Sequence, residues 1–211
     1  MRRLPVYLLL DTSGSMYGEP IQSLNNALSG MINALRSDPQ AADSLWVSII
    51  TFDREVKEIV PLTDLPSLQI PEITCPASGP TFTGKALELL CRKVEKEVKR
   101  GTSAQKGDWR PLLFVFTDGK PSDIQLYNDI VPQVKSLNFA IIVGCAAGNK
   151  ADPDKLSSLC DNVVHLDTTD AVTLLKFFQW VSDVIEQGNK SMGTTDTVPL
   201  PPPPIKENNV M

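Results

Sequence analysis

Paired cysteines, clustered histidines, long apolar runs and excess positive charge are all missing from this chain, and each absence removes a class of function. One histidine, His165, stands alone in 211 residues. With no second histidine to join it, it reads as a structural residue rather than a metal ligand. The four cysteines, Cys75, Cys91, Cys145 and Cys160, lie far apart without a C-x-x-C pair. That disfavours a thiolate metal site or a dithiol redox centre and leaves buried free thiols as the expectation. "MRRLPVYLLLDTSGS" opens with two arginines, but Pro5 and Asp11 confine the apolar run to a few residues. This is too short for a signal-peptide core or a membrane span, so a cytoplasmic location with no membrane partner is expected. Lys and Arg number 20 against 25 Asp and Glu, a net charge of −5. No global positive field is available to hold phosphate backbones, and nucleic acid is not an expected partner.

What is present is the composition of an ordinary globular domain, 42% hydrophobic and 21% charged. Short apolar runs at 4–10, 45–52, 111–117 and 138–145 are continuous rather than alternating, as in strands covered on both faces by helices. "EVKEIVPL" (55–62) alternates and follows closely on the strand before it, which predicts an antiparallel edge partner; "NVVHL" (162–166) is a short last strand. Between the runs, apolar residues recur at spacings of three and four. Ile21, Leu24, Leu28, Met31, Ile32 and Leu35 form one such stripe, and Leu87, Leu90, Cys91, Val94 and Val98 another, within a helix at 84–100. Further helices are predicted at about 122–136, 152–160 and 169–187. This alternation predicts an α/β fold, a three-layer doubly wound sandwich with a mostly parallel central sheet and one short antiparallel edge strand. The expected domain is 1–187, followed at 188–211 by a flexible proline-rich tail whose four consecutive prolines favour polyproline II. A docking peptide is the other reading of that tail.

In open α/β sheets ligands collect at the carboxyl ends of the strands. Three loops at that end carry matching chemistry: "DTSGS" (11–15), "SGPTFTGKAL" (78–87) and "FTDGKPSD" (116–123). Together they direct Asp11, Ser13, Ser15, Thr81 and Asp118 towards one point. All five offer oxygen, which suits a hard divalent cation, Mg2+ first and Mn2+ or Ca2+ as alternatives. Two carboxylates only neutralise such an ion, so an open coordination position would accept an incoming carboxylate.

These segments resemble the von Willebrand factor A family, whose metal-ion-dependent adhesion site (MIDAS) combines a D-x-S-x-S run, a distant threonine and a further aspartate. "DTSGS" matches the run in full. "GPTFTGKAL" resembles the G-x-T-x-T-G loop, with Thr81 in the ligand position and Thr83 as its substitute, and "FVFTDGKP" resembles the T-D-G segment, giving Asp118 the last role. The opening "RRLPVYLLLDTSGSM" is similar to that of bacterial tellurium-resistance-associated TerY-like proteins. That resemblance implies a bacterial cytoplasmic protein from stress or metal-resistance loci, where a kinase-like protein or a PP2C-type phosphatase is an implied partner. The expected function is a metal-dependent protein–protein interaction module that captures an Asp or Glu of a partner, with Gly14, Met16 and Phe82 shaping the rim of the site.

Each residue also has a plainer reading. Asp11, Ser13 and Ser15 suit a strand-to-helix turn, Thr81 suits local backbone hydrogen bonding, and Asp118 suits a turn before Gly119. Glu19, Asp53 and Asp123 read as solvated or capping carboxylates. A metal-dependent phosphohydrolase is one functional alternative, since a strand-end aspartate can be a nucleophile. Such enzymes resemble D-x-D, however, and position 13 here is serine. A serine hydrolase lacks its G-x-S-x-G elbow and a base within reach, and no phosphate loop follows any strand. The expectation is therefore a protein that is not an enzyme. A metal-ion buffer in resistance is the third reading.

Overall fold

The first strand, β1 (Leu4–Asp11), is buried at every position, and its side chains divide between two cores. Leu4, Val6, Leu8 and Leu10 enter one, Tyr7 and Leu9 the other. Only a central strand covered on both faces meets that condition. The computed structural model describes residues 2–148, 150–191, 198 and 200–203. After β1 come a 3-10 turn (Gly14–Met16), α1 (Glu19–Ser37), α2 (Pro39–Ser44), β2 (Leu45–Phe52) and β3 (Val56–Asp64). The chain continues through α3 (Thr83–Glu97), β4 (Leu112–Thr117), α4 (Ile124–Ser136), β5 (Ile141–Ala147), α5 (Pro153–Leu159), β6 (Asn162–Leu166) and α6 (Ala171–Ser191).

The strands form one six-stranded sheet in the order β3-β2-β1-β4-β5-β6. Every pairing is parallel except β2 with β3. Helices α1 and α6 contribute Leu24, Leu28, Leu174 and Phe178 to the core on one face. Leu87 of α3, Val131 of α4 and Leu156 of α5 fill the other. This is the doubly wound α/β sandwich expected from the alternation of periods. Chain order reverses between β1 and β4, and their register pairs Leu10 with Phe116. Asp11 and Thr117 are therefore brought level at the carboxyl end of the switch point, where the sheet opens a crevice.

Differences from the sequence reading are local. The fifth strand starts at Ile141 rather than 138, because Asn138 takes a left-handed φ of 58° that a strand cannot contain. The short helix α2 forms on a capped start, with Asp38 accepting from the Gln40 and Ala41 N–H groups and Pro39 in the first turn. Helix α6 continues to Ser191, so the first residues of the segment expected to be a tail are helical. Within that segment residues 192–197, 199 and 204–211 lie outside the described residues.

The edge strand is held by a buried ammonium. Lys93 of α3, 7% exposed, donates to Glu58 of β3 and to Glu97 one turn on, and Glu97 also accepts from the Tyr7 hydroxyl at 3.2 Å. Lys93→Met keeps most of the volume but leaves two carboxylates facing each other without the cation. We expect a loss of about 1–2 kcal/mol, read as a lower urea midpoint, since both carboxylates keep some solvent.

Candidate metal centre

Asp11 ends β1 fully buried, and two groups fix its carboxylate. The Ser13 N–H donates to Oδ1 at 2.8 Å and the Thr117 hydroxyl to Oδ2 at 2.5 Å. From there the polar atoms form a chain. Ser13 Oγ lies 3.2 Å from Ser15 Oγ, and the Ser15 hydroxyl donates to Asp118 Oδ1 at 2.7 Å. Thr81 arrives from the third loop and is pinned by its backbone: its N–H donates to Ser122 Oγ at 3.0 Å, and its carbonyl accepts from the Ser122 N–H at 2.8 Å. Its own hydroxyl lies 3.2 Å from where a Cβ on Gly119 would stand, which places it beside Asp118. Asp11, Ser13, Ser15 and Asp118 are thus joined through hydrogen bonds at the switch point, and Thr81 lies against Gly119, the residue after Asp118. The enclosed Thr83, by contrast, has a hydroxyl without a hydrogen-bond partner among the described residues.

Burial grades across the cluster. Asp11 and Ser13 are enclosed and Thr81 and Asp118 nearly so, while Ser15 is exposed. The accessible side is therefore the Ser15 side, where Tyr17 stands 62% exposed two residues on. Phe82 is half-buried under the Lys85 ammonium, which sits 4.2 Å from the ring centroid. Met16, expected at the rim, points instead into the core on the α1 face, because the 3-10 turn carries it back over the sheet. Gly14 is needed for packing: a Cβ there would stand 2.4 Å from Ser78 Cα.

The acidic neighbours have structural duties. Asp53 accepts from the Thr12 hydroxyl at 2.9 Å and from the Glu55 N–H. Asp123 accepts from the Gly84 and Lys85 N–H groups and so caps α3 rather than the helix it precedes. The positioning residues Thr117 and Ser122 escaped sequence reasoning. Thr117 had a signal, its place directly before Asp118 in "FTDG"; Ser122 had none.

Electrostatics test whether these residues fit a cation. Burial pushes the Asp11 carboxyl up to about 6 against the pull of its hydrogen bonds from Thr117 and Ser13, and burial also raises Asp118. Among the described residues neither carboxylate has a salt-bridge partner. Lys150 is near enough to lower the Asp118 carboxyl slightly but forms no salt bridge with it, so two buried negative groups with three hydroxyl oxygens beside them form a donor set that fits a hard divalent ion. Cys75 is half-buried near enough to feel Asp53, Asp118 and Asp11, although burial is the main cause of its raised thiol pKa. Cys91, Cys145 and Cys160 are buried free thiols.

No helix among the described residues is long and apolar enough to cross a membrane. Comparison with solved structures gives the same fold in distant sequences. Proximal thread matrix protein 1 from the mussel byssus, in a form described with a zinc-occupied MIDAS motif, superposes with a TM-score of 0.60 at 15% identity, over 86% of this chain and 48% of that one. The ArnB paralog VWA2 from Sulfolobus acidocaldarius gives 0.58 at 17% identity, over 84% and 45%. A von Willebrand factor type A protein from Catenulispora acidiphila gives 0.62 at 16% identity, over 88% and 43%. This chain spans less than half of each of these three proteins. No curated protein matches in sequence. The von Willebrand factor type A domain profile matches residues 6–179, most of the sheet and both helical layers, and the chain belongs to that family.

Proposed function

We propose that this domain is a metal-dependent protein–protein interaction module of the MIDAS kind. Asp11, Ser13, Ser15, Thr81 and Asp118 would hold a divalent cation, Mg2+ in the cell, directly or through water. A bound ion would supply a fixed positive charge with a coordination position for an Asp or Glu side chain of a partner protein. The observation that carries the reading is the pair of buried, unpaired carboxylates joined through Ser13 and Ser15 into one oxygen cluster at the switch point. The open Ser15 side supports access for a partner's carboxylate. A mussel protein of the same fold is described with zinc in its MIDAS motif, so metal availability would help decide which ion an oxygen set like this one holds.

Recognition rather than catalysis is our reading, because Ser13 replaces the second aspartate of phosphoaspartate-forming enzymes. The "RRLPVYLLLDTSGSM" opening supports a bacterial, cytoplasmic, TerY-like scaffold or regulator in tellurite or stress resistance, linked to kinase-like or PP2C-type phosphatase proteins. The test is capture from native cells on the immobilised chain with Mg2+. A partner should be retained, released by EDTA and absent when Asp11 is replaced. Retention that survives both changes would exclude the metal-bridged reading, and Asp11-dependent turnover of a generic phosphoester would replace it with an enzyme.

A further inference from the structure

The proline-rich segment beyond the last helix is held by the domain itself. Val198 lies against Gly188 of α6, with its Cγ1 3.4 Å from where a Cβ on that glycine would stand, and the Trp180 indole N–H donates to the Pro201 carbonyl at 2.9 Å. The segment therefore runs back along α6, antiparallel to it. Gly188 and Trp180 are roughly 12 Å apart along a helix of 1.5 Å rise. Three residues of polyproline II cover about 9 Å, and the reach of the indole spans the remainder.

Periodicity supports that conformation. Polyproline II has three residues per turn, so 198 and 201 share one edge, 200 and 203 a second, and 202 lies on the third. Val198 and Leu200 pack on the core of the α1/α6 face, Pro201 and Pro203 are half-buried, and Pro202 is exposed. Two edges touch the domain and one faces solvent.

The receiving surface has the chemistry that proline-rich segments need. Trp180 is 4% exposed and its ring is tilted against Phe177 at 6.0 Å, giving an aromatic wall with one donor at its edge. A helix-interior glycine, which costs up to about 1 kcal/mol relative to alanine, leaves the notch that Val198 and Leu112 enter. Proline carbonyls are good acceptors in a backbone without its own donors, and a preformed polyproline helix loses little entropy on docking. We propose that the α6 face around Trp180 and Gly188 is a polyproline II recognition site. Its resident ligand is this chain's own segment at 198 and 200–203, and it takes a proline-rich segment of the same apolar register from another chain once the resident one is displaced. A tethered ligand competes at an effective concentration of about millimolar, so the intact chain is closed to free peptide.

Exchange of the Trp180 indole proton, followed by NMR on the full chain, tests this without reference to metal. The intact chain should protect that proton and show no change when a peptide of residues 196–204 is added. In Val198→Asp/Leu200→Asp the proton should exchange roughly tenfold faster or more. The peptide should then restore protection saturably, whereas a version with serine at both apolar positions should not. Fast exchange in the intact chain would overturn the proposal. So would failure of the peptide to protect a released variant whose other amide signals are those of the intact domain. Trp180→Phe keeps an aromatic ring but removes the donor and the indole's second ring: it should move the Val198 methyl signals towards free-peptide positions, and their staying in place would also overturn it.

Discussion

Asp11→Asn should abolish divalent-metal binding and at the same time make the metal-free domain more stable. Asparagine can keep both contacts of the aspartate. Its carbonyl accepts from the Ser13 N–H, and its amide donates to the Thr117 hydroxyl, which can turn its proton to the Gly119 carbonyl at 3.3 Å. What is lost is a buried negative charge, and with it the strongest attraction for the ion. Calorimetric titration of Mg2+ or Mn2+ should show binding to the parent and none to the variant. A parent-like affinity in the variant would remove Asp11 from the site.

The stability gain has a sign that pH can check. The Asp11 carboxyl is pushed from 3.8 to about 6 by burial. Between those values the folded chain holds a proton that the unfolded chain has released. This contribution is fully present below about 3.8 and is lost as pH rises through 6. A shift of about two pKa units corresponds to about 3 kcal/mol lost by pH 7 in the metal-free parent, and Asp11→Asn should not lose it. For a domain of this size that is a rise in Tm of roughly 5–10 °C for the variant at pH 7, with little difference near pH 4. Metal binds the ionised form, so Mg2+ should raise the parent's Tm at pH 7 and lose that effect below pH 5. A metal-free parent that gains stability from pH 4 to pH 7 through this group would contradict the buried, unpaired carboxylate.

The fold was legible because its strands and helices obey different periods. Continuous burial of Leu4 to Asp11 marks a central strand and the partial exposure of Val56 to Asp64 an edge strand, although β3 does not alternate strictly, because its register against β2 shifts at Ile49. Asp11, Ser13, Ser15 and Asp118 were legible as neighbours because they end or directly follow β1 and β4, whose carboxyl ends meet at the switch point; Thr81 lies just before α3 and was legible only from its motif. The support around them was not. Ser122 holds Thr81 through backbone bonds that depend on how two loops meet, and Asp123 caps α3 from the start of α4. Neither carries a local pattern, because partners separated by about forty residues are chosen by packing. Met16 was misplaced for the same reason: the 3-10 turn rotates it inward, and a run read as loop carries no sign of that rotation. The α6 contact with Pro201 was equally hidden, since the composition of the segment indicates polyproline and not what it touches.

Gly14→Ala should weaken metal binding more than any substitution outside the five donors. A Cβ at 14 would stand 2.4 Å from Ser78 Cα and 2.9 Å from Gly79 N, and both are backbone atoms that cannot rotate away. Either the 3-10 turn that carries Ser15 or the loop that leads to Thr81 has to move. Overpacking of this kind costs about 1–3 kcal/mol, and displacement of groups that orient metal ligands lowers affinity roughly 10- to 100-fold. Gly30→Ala separates the two consequences of adding a methyl group. Gly30 lies inside α1 and its Cβ would meet Leu175 Cδ1 of α6 at an ordinary 3.6 Å, so the change should add up to about 1 kcal/mol of helix stability and leave metal affinity unchanged. If Gly14→Ala lost stability but kept affinity, Thr81 would not belong to the same coordination set as Ser13 and Ser15. The reason is geometric: Gly14 is where the loop bearing two of the donors touches the loop bearing the third, so the methyl group can relieve its clash only by changing the distance between them.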